Sequence, residues 1–421
     1  MTQDEKNITN FIIGTQTWFM AEFLDDGLDR AVNNLVEKGG VNTLLIGTHL
    51  DYQSTKNWGK LPHNPIREEH AADGFFYNFD ISKYNRTRIK PVSSTQFKTQ
   101  EIDVFNEVLK ESRKVGIQCY ALILHRFPDV DSYPELHMRT VKGDKVPSIL
   151  CHHQPEVREF YKCMIDDLID NYELDGFCLA LLDHYHQFGF ETLTDELADS
   201  LGIKKFSNPE MGLACFCNAC TKRAEMEGID VEKIRNGLIK GIDKGLIPYK
   251  VESAITAGDS FRLIMDVPEY LEWLRFRSSL FTEFHKELKE YIKSKNEKML
   301  LSLDIYGPDD AWKYQTDYYS LTEQCKWVKP MFYSGTYPGR PITPEIIGVQ
   351  TRKCIENSKE GVLVVPGISG LSSESPKEIS KSIREAVKNN ASGIILSWDY
   401  SLIPYENLEI FGNTLRELGK L

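Results

Sequence analysis

The chain has 421 residues, a net charge of −12 and an aromatic share of 11%. An acidic balance argues against nucleic acid or an anionic membrane surface as the main partner, since both need a basic face, and no run of about 18 apolar residues is present that could cross a bilayer. The first residues, MTQDEKNITN, lack the basic-then-apolar layout of a secretory signal, so the expectation is a cytoplasmic protein. Nine cysteines spread over so long a chain do not suggest a disulfide scaffold.

Apolar runs with the look of buried strands recur along the chain, with amphipathic helices between them. FIIGTQ (11–16) is the first strand. Leu28, Ala31, Val32 and Leu35 then share a helical face that ends at Gly39-Gly40. VNTLLIGTHLDY (41–52) is the second strand with its exit, and GIQCYALILH (116–125) is the third. Gln154-Pro155-Glu156 opens a helix whose stripe is Val157, Phe160, Tyr161, Met164, Ile165 and Leu168. LDGFCLALLD (174–183) is the fourth strand. MLLSLDIY (299–306), WVKPMFY (327–333), GVLVVPG (361–367) and SGIILSW (392–398) follow, their starts 28, 34 and 31 residues apart, about the length of one βα unit. Thr343-Pro344-Glu345 and the capping box Ser375-Pro376-Lys377-Glu378 start two of the later helices.

Eight strands alternating with helices predict one (β/α)8 TIM barrel spanning 1–421, with a doubly wound open sheet as the alternative. Residues 53–100 and 184–280 are too long for plain βα connections. They are expected to be insertions, the second long and mostly helical. The charged segment EFHKELKEYIKSKNEK (283–298) is expected to be a solvated helix face.

In such a barrel the chemistry belongs at the C-terminal strand ends. The polar residues there are Gln16 and Trp18 after strand one; His49, Asp51 and Tyr52 after strand two; and His125 and Arg126 after strand three. Asp183, His184 and His186 follow strand four. Asp304 and Tyr306 lie on strand five, and Lys329, Met331 and Tyr333 on strand six. Trp398, Asp399 and Tyr400 close strand eight. Acids, imidazoles and aromatics of this density suit a small-molecule carbohydrate, whose hydroxyls take polar partners and whose apolar face packs on a ring. Blander roles stand beside this one. Asp183 serves equally as a loop cap, Lys329 is the natural ion-pair partner of Asp304, and core packing is the alternative for Trp398, whose place at a strand exit favours a sugar platform. The sequence leaves the oligomeric state open, a homo-oligomer included.

CFCNAC (215–220) places Cys215, Cys217 and Cys220 in one tight turn. A structural zinc wants four thiolate or imidazole ligands. Cys151 in LCHHQPEVREF is the best fourth, with His152 and His153 as alternatives, and three metal-free thiols as the bland reading. A Cys-containing segment before a PEVREF helix, followed by C-x-C-x-x-C, resembles the zinc-containing beta-galactosidases, (β/α)8 enzymes with a four-Cys zinc site. That resemblance implies Cys151, Cys215, Cys217 and Cys220 as ligands of a structural zinc, and no organic cofactor. LCHHQPEVREF, YELDGF, CFCNAC, LSLDIYGP, WVKPMFY, VVPGIS and ILSWDY, in that order, also resemble a broader group of barrel proteins described as glycoside hydrolases. This second resemblance runs from about residue 10 to the end.

Glycoside hydrolysis normally needs two carboxyl groups. Asp304, Asp183 and Asp399 are the candidates. The galactosidase acid pair does not carry over: where those enzymes have Asn-Glu after strand four this chain has Leu182-Asp183, and Ser369 follows VVPGI where they have Glu. The D-G-x-x-x-D pattern of related barrels opens at Asp175-Gly176 but carries Ala180 at its end. The expected activity is therefore a glycosidase acting on a small glycoside or oligosaccharide. A lyase or isomerase using His49, His125 or Lys329, or a sugar-binding barrel without catalysis, are the alternatives.

Overall fold

The computed structural model describes residues 11–18, 20–54, 62–63, 71–95, 101–180, 215–244, 265–311, 314–333, 342–397 and 399–421. Eight parallel strands close on themselves. They are β1 (Ile12–Thr17), β2 (Thr43–Gly47), β3 (Gln118–Leu124), β4 (Gly176–Ala180), β5 (Leu300–Ile305), β6 (Trp327–Phe332), β7 (Leu363–Val364 and Gly367–Ser369) and β8 (Gly393–Ser397). Each pairs with its chain neighbours, β6 pairs with both pieces of β7, and β1 pairs with β8 from Ile12 opposite Gly393, which completes the ring. The predicted (β/α)8 barrel is the observed fold; six strands lie within their predicted runs, while β1 runs one residue past its run to Thr17 and β7 two residues past its run to Ser369. β7 is split at Pro366, whose ring nitrogen has no hydrogen to give the ladder. Its carbonyl still accepts from Ile395 N at 2.9 Å.

The main helices around the barrel are α1 (Leu28–Glu37), α2 (Val104–Lys114), α3 (Pro155–Asn171), α4 (Asn218–Met226), α5 (Val231–Asp243), α6 (Glu269–Lys295), α7 (Pro344–Asn357), α8 (Pro376–Lys388) and α9 (Tyr405–Glu417). α1 buries Ala31, Val32 and Leu35, and three residues past its end Gly40 turns the chain with a φ of +65°, which suits a residue without a Cβ. Thr343 caps α7 by accepting from Ile346 N, and the Ser375–Glu378 capping box on α8 is complete. Such caps contribute about 1 kcal/mol each. Two antiparallel hairpins extend the β2 and β3 exits: His49–Ser54 with Ala71–Phe75, and His137–Arg139 with Lys145–Leu150. The second delivers Cys151 to the start of α3.

One expectation needs correction. EFHKELKEYIKSKNEK is not a solvated face throughout: Phe284, His285, Leu288 and Ile292 are buried against the barrel and α3. Its charges lie on the other sides of the helix, where Glu283 and Glu287 meet Arg158 and Lys295 meets Asp166. Among the described residues no helix is long and apolar enough to cross a membrane.

Candidate active site and metal centre

Side chains alternate across a strand, so one set fills the barrel. Tyr120 on β3 meets Trp327 on β6 edge-on, with ring centroids 5.4 Å apart. These strands are not neighbours, so both rings point inward and close the lower barrel. Two residues further along β6, Lys329 also points inward. It stands in register with Asp304 on β5.

Lys329 Nζ donates to Asp304 Oδ2 at 2.8 Å and to Tyr333 Oη at 2.6 Å. The Lys329 and Asp304 side chains are 0% and 3% exposed. Gly367 on β7 makes room for them, since a Cβ there would lie 2.8 Å from Lys329 Cε. Burial pushes the Asp304 carboxyl upward and the Lys329 charge pulls it back, leaving it above its ordinary value. Burial alone would lower Lys329, but Asp304 and then Tyr333 outweigh it, so its ammonium is held. Tyr333 is pushed up to about 12, first by burial and then by the Asp304 charge. The ion pair foreseen between strands five and six is thus present.

Its second oxygen sets Asp304 apart. Asp304 Oδ1 is buried and has no hydrogen-bond partner among the described residues. Neither amide atom of Gln16 on β1, nor the hydroxyl of Ser369 on β7, has one either. Ser397 on β8 lies beside Tyr333. An unpaired buried polar atom costs about 1–3 kcal/mol, a cost that a polar ligand at the barrel mouth could relieve.

The other predicted residues separate. Asp399 Oδ1 accepts from Ser401 N at 2.9 Å and Ser401 Oγ at 2.6 Å, and Oδ2 accepts from Trp18 N. This carboxylate ties the exits of β1 and β8 together. His49 is sandwiched between Phe75 and Phe127, each 4.9 Å away, and burial lowers it to about 3. His125 Nδ1 lies 3.1 Å from Ala180 O, bridging β3 and β4, and is lowered to about 3 by burial and then by the Arg126 charge. Arg126 reaches Asp51 at 4.0 Å. Asp183, His184, His186 and Trp398 lie outside the described residues.

The cysteines do come together. The sulfurs of Cys151, Cys215, Cys217 and Cys220 are buried and all within 4.8 Å of one another. Cys151 and Cys217 stand 3.6 and 3.7 Å from Cys220. Tetrahedral Zn–S bonds of about 2.3 Å put sulfurs about 3.8 Å apart, so the spacing fits a metal and is far too long for a disulfide, which needs about 2.05 Å. Local backbone sets this up: Cys217 is the N-cap of α4, with Cys220 in its first turn, and Phe216 N bonds Arg139 O of the hairpin at 2.8 Å. Donors surround the sulfurs, as around a metal thiolate. Arg139 N reaches Cys215 at 3.2 Å, Gln154 Nε2 reaches Cys217 at 3.6 Å and Arg277 Nη1 reaches Cys220 at 2.8 Å. Burial raises the Cys151 and Cys215 thiols, while hydrogen bonds from the other three thiols lower Cys217 strongly. This buried group could hold a metal ion. His152, stacked on Phe284, and His153, beside Arg158, are not part of it.

Sequence reasoning missed Arg277, Gln315 and Tyr314. Arg277 had a signal: it interrupts an apolar stripe of Trp273, Leu280 and Phe284 at helical spacing.

No protein-family model and no curated protein matches the sequence. Solved structures are similar in fold. The PgaB (BpsB) glycoside hydrolase domain from Bordetella bronchiseptica is 10% identical over 97% of this chain and 98% of that one, with a TM-score of 0.59. A beta-galactosidase from Rahnella sp. R3 is 14% identical over 98% of this chain, with a TM-score of 0.58. Alpha-L-fucosidase isoenzyme 2 from Paenibacillus thiaminolyticus is 10% identical over 98% of this chain, with a TM-score of 0.55. The chain spans 57% of that galactosidase and 49% of that fucosidase. At these identities the likeness concerns the fold alone: this chain has the closed parallel barrel that these glycoside hydrolases share.

Proposed function

We propose that the protein is a glycosidase acting on a small glycoside or oligosaccharide, with Asp304 as a reacting carboxylate. One observation carries this reading: Asp304 is oriented through one oxygen by Lys329, while its other oxygen is buried at the barrel mouth without a partner among the described residues. Asp183, following the neighbouring strand, is the second carboxyl that hydrolysis calls for. Gln16, Ser369, Ser397 and Tyr333 supply hydroxyl partners, and Trp398 a ring for the sugar face. Asp399 holds Trp18 in place instead of reacting. Cys151, Cys215, Cys217 and Cys220 hold a structural zinc, which when bound clamps the hairpin to α4 and supplies no chemistry to the sugar.

Turnover of a panel of nitrophenyl glycosides and oligosaccharides tests the assignment. Asp304→Asn should cost at least about 100-fold. Because it strands the Lys329 charge, the same loss must appear in the Asp304→Asn/Lys329→Met pair, which carries no buried charge. Wild-type rates from either protein would remove Asp304 from the mechanism. A second reading, a lyase using Lys329 as the proton carrier, is favoured by the 2.6 Å contact to Tyr333. Reaction in 18O-water separates the two, since only hydrolysis puts the label into product.

A further inference from the structure

The four-Cys group stands outside the barrel, yet buried side chains connect it to the strand exits. Arg277 on α6 is fully buried. Its Nη1 donates to Cys220 Sγ at 2.8 Å and its Nε to Gln315 Oε1 at 3.1 Å. The next residue, Ser278, donates its hydroxyl to Gln315 O at 2.9 Å. Gln315 has a φ of +52°, a left-handed conformation that costs a residue with a Cβ about 1–2 kcal/mol. α6 therefore grips a strained residue by both its side chain and its carbonyl. The neighbouring Tyr314 lies flat on Tyr306, with centroids 3.9 Å apart and an interplanar angle of 3°, and Met331 packs against the pair. Tyr306 follows Asp304 by two residues, and Met331 follows Lys329 by two. The contacts run without a gap from a cysteine sulfur to the residues next to the candidate acid.

We propose that Arg277 is a positioning residue that couples metal occupancy of the four-Cys group to the Tyr306–Tyr314 wall of the candidate active site. The proposal rests on reading the cysteines as a metal centre. Four thiolates around a divalent cation carry about two net negative charges, and a fixed guanidinium beside Cys220 offsets part of that charge. With the cation bound, Cys220 is fixed, Arg277 is held against it, and Gln315 keeps its left-handed turn with Tyr314 flat on Tyr306. Without the cation the four sulfurs are no longer drawn together, the Cys220 anchor shifts, and the strained turn relaxes.

The test needs no substrate. Protein labelled with 3-fluorotyrosine gives 19F resonances for Tyr306 and Tyr314, assigned with Tyr306→Phe and Tyr314→Phe. Spectra are taken zinc-loaded, chelator-stripped and reloaded, with zinc content measured on each sample. The two resonances should shift on stripping and return on reloading, while most other tyrosines stay in place. Arg277→Met should bind zinc yet give tyrosine positions that no longer respond. Should that variant not fold, Gln315→Gly makes the same cut, since glycine adopts this φ without strain. Zinc that leaves without moving the two resonances overturns the coupling, as does a Gln315→Gly protein that responds like wild type. Stripping that moves every tyrosine also overturns it, because the metal then supports the whole fold instead of one wall. Purified protein that takes up no zinc at all overturns the metal reading, and the coupling with it.

Discussion

Replacing Lys329 by Met leaves Asp304 as a carboxyl buried to 3% exposure with no ammonium beside it. Removing one partner of a buried ion pair typically costs about 3–5 kcal/mol, because the stranded charge keeps its desolvation penalty. That is a large part of the roughly 5–15 kcal/mol available to a folded domain. The cost depends on pH. Asp304 is already above its ordinary value with Lys329 present, and without the ammonium it rises further. A carboxyl raised in the folded state contributes stability below the unfolded pKa and loses it as pH rises through the folded pKa, with a slope of at most about 1.4 kcal/mol per pH unit. The deficit of Lys329→Met against wild type should therefore be small near pH 4 and grow toward pH 7. Urea unfolding at several pH values reads this directly. Adding Asp304→Asn should recover most of the loss and flatten the pH dependence. A deficit under about 1 kcal/mol at pH 7, or one of equal size at pH 4 and 7, would refute the buried pair.

Two smaller perturbations bear on the same mouth. Gly367→Ala places a Cβ 2.8 Å from Lys329 Cε and 3.3 Å from Tyr333 Cε1, so it should cost about 1–3 kcal/mol of stability and lower turnover by displacing the pair; unchanged melting and turnover would contradict the packing. Asp399→Ala leaves Ser401 N, Ser401 Oγ and Trp18 N without their acceptor. It should lower stability by about 1–3 kcal/mol and weaken substrate binding through Trp18, whereas a purely catalytic role would lower turnover with stability intact.

How much of this was legible in the sequence depended on how local the signal was. The barrel strands are short apolar runs at βα spacing, and the helix starts carry their own caps, so each could be found from neighbouring residues alone. The Asp304–Lys329 pair was legible because a carboxylate inside LLSLDIY must find a cation, and the adjacent strand offers one. Cys151 could be matched to Cys215, Cys217 and Cys220 because it sits just before the helix leading into strand four, and the cluster lies in the loop after that strand. Long-range roles were hidden. Asp399 stands at a strand exit like a catalytic acid, yet its oxygens are taken by Ser401 and by Trp18, which is 381 residues away in the chain. His49 is polar and at a strand exit too, but the rings on either side come from two separate segments. The charged segment 283–298 hid its buried stripe among lysines and glutamates. Gln315 gave no sign, since a left-handed glutamine is imposed by Arg277 and Ser278 and not by its neighbours in sequence.

The most direct measurement is a crystal structure with a sugar or sugar-like inhibitor bound. A ring is expected at the barrel mouth with a hydroxyl or the glycosidic oxygen within about 3.2 Å of Asp304 Oδ1, and with Gln16 hydrogen-bonded to the same ligand. A sugar seated elsewhere, with Asp304 Oδ1 and Gln16 untouched, would contradict it.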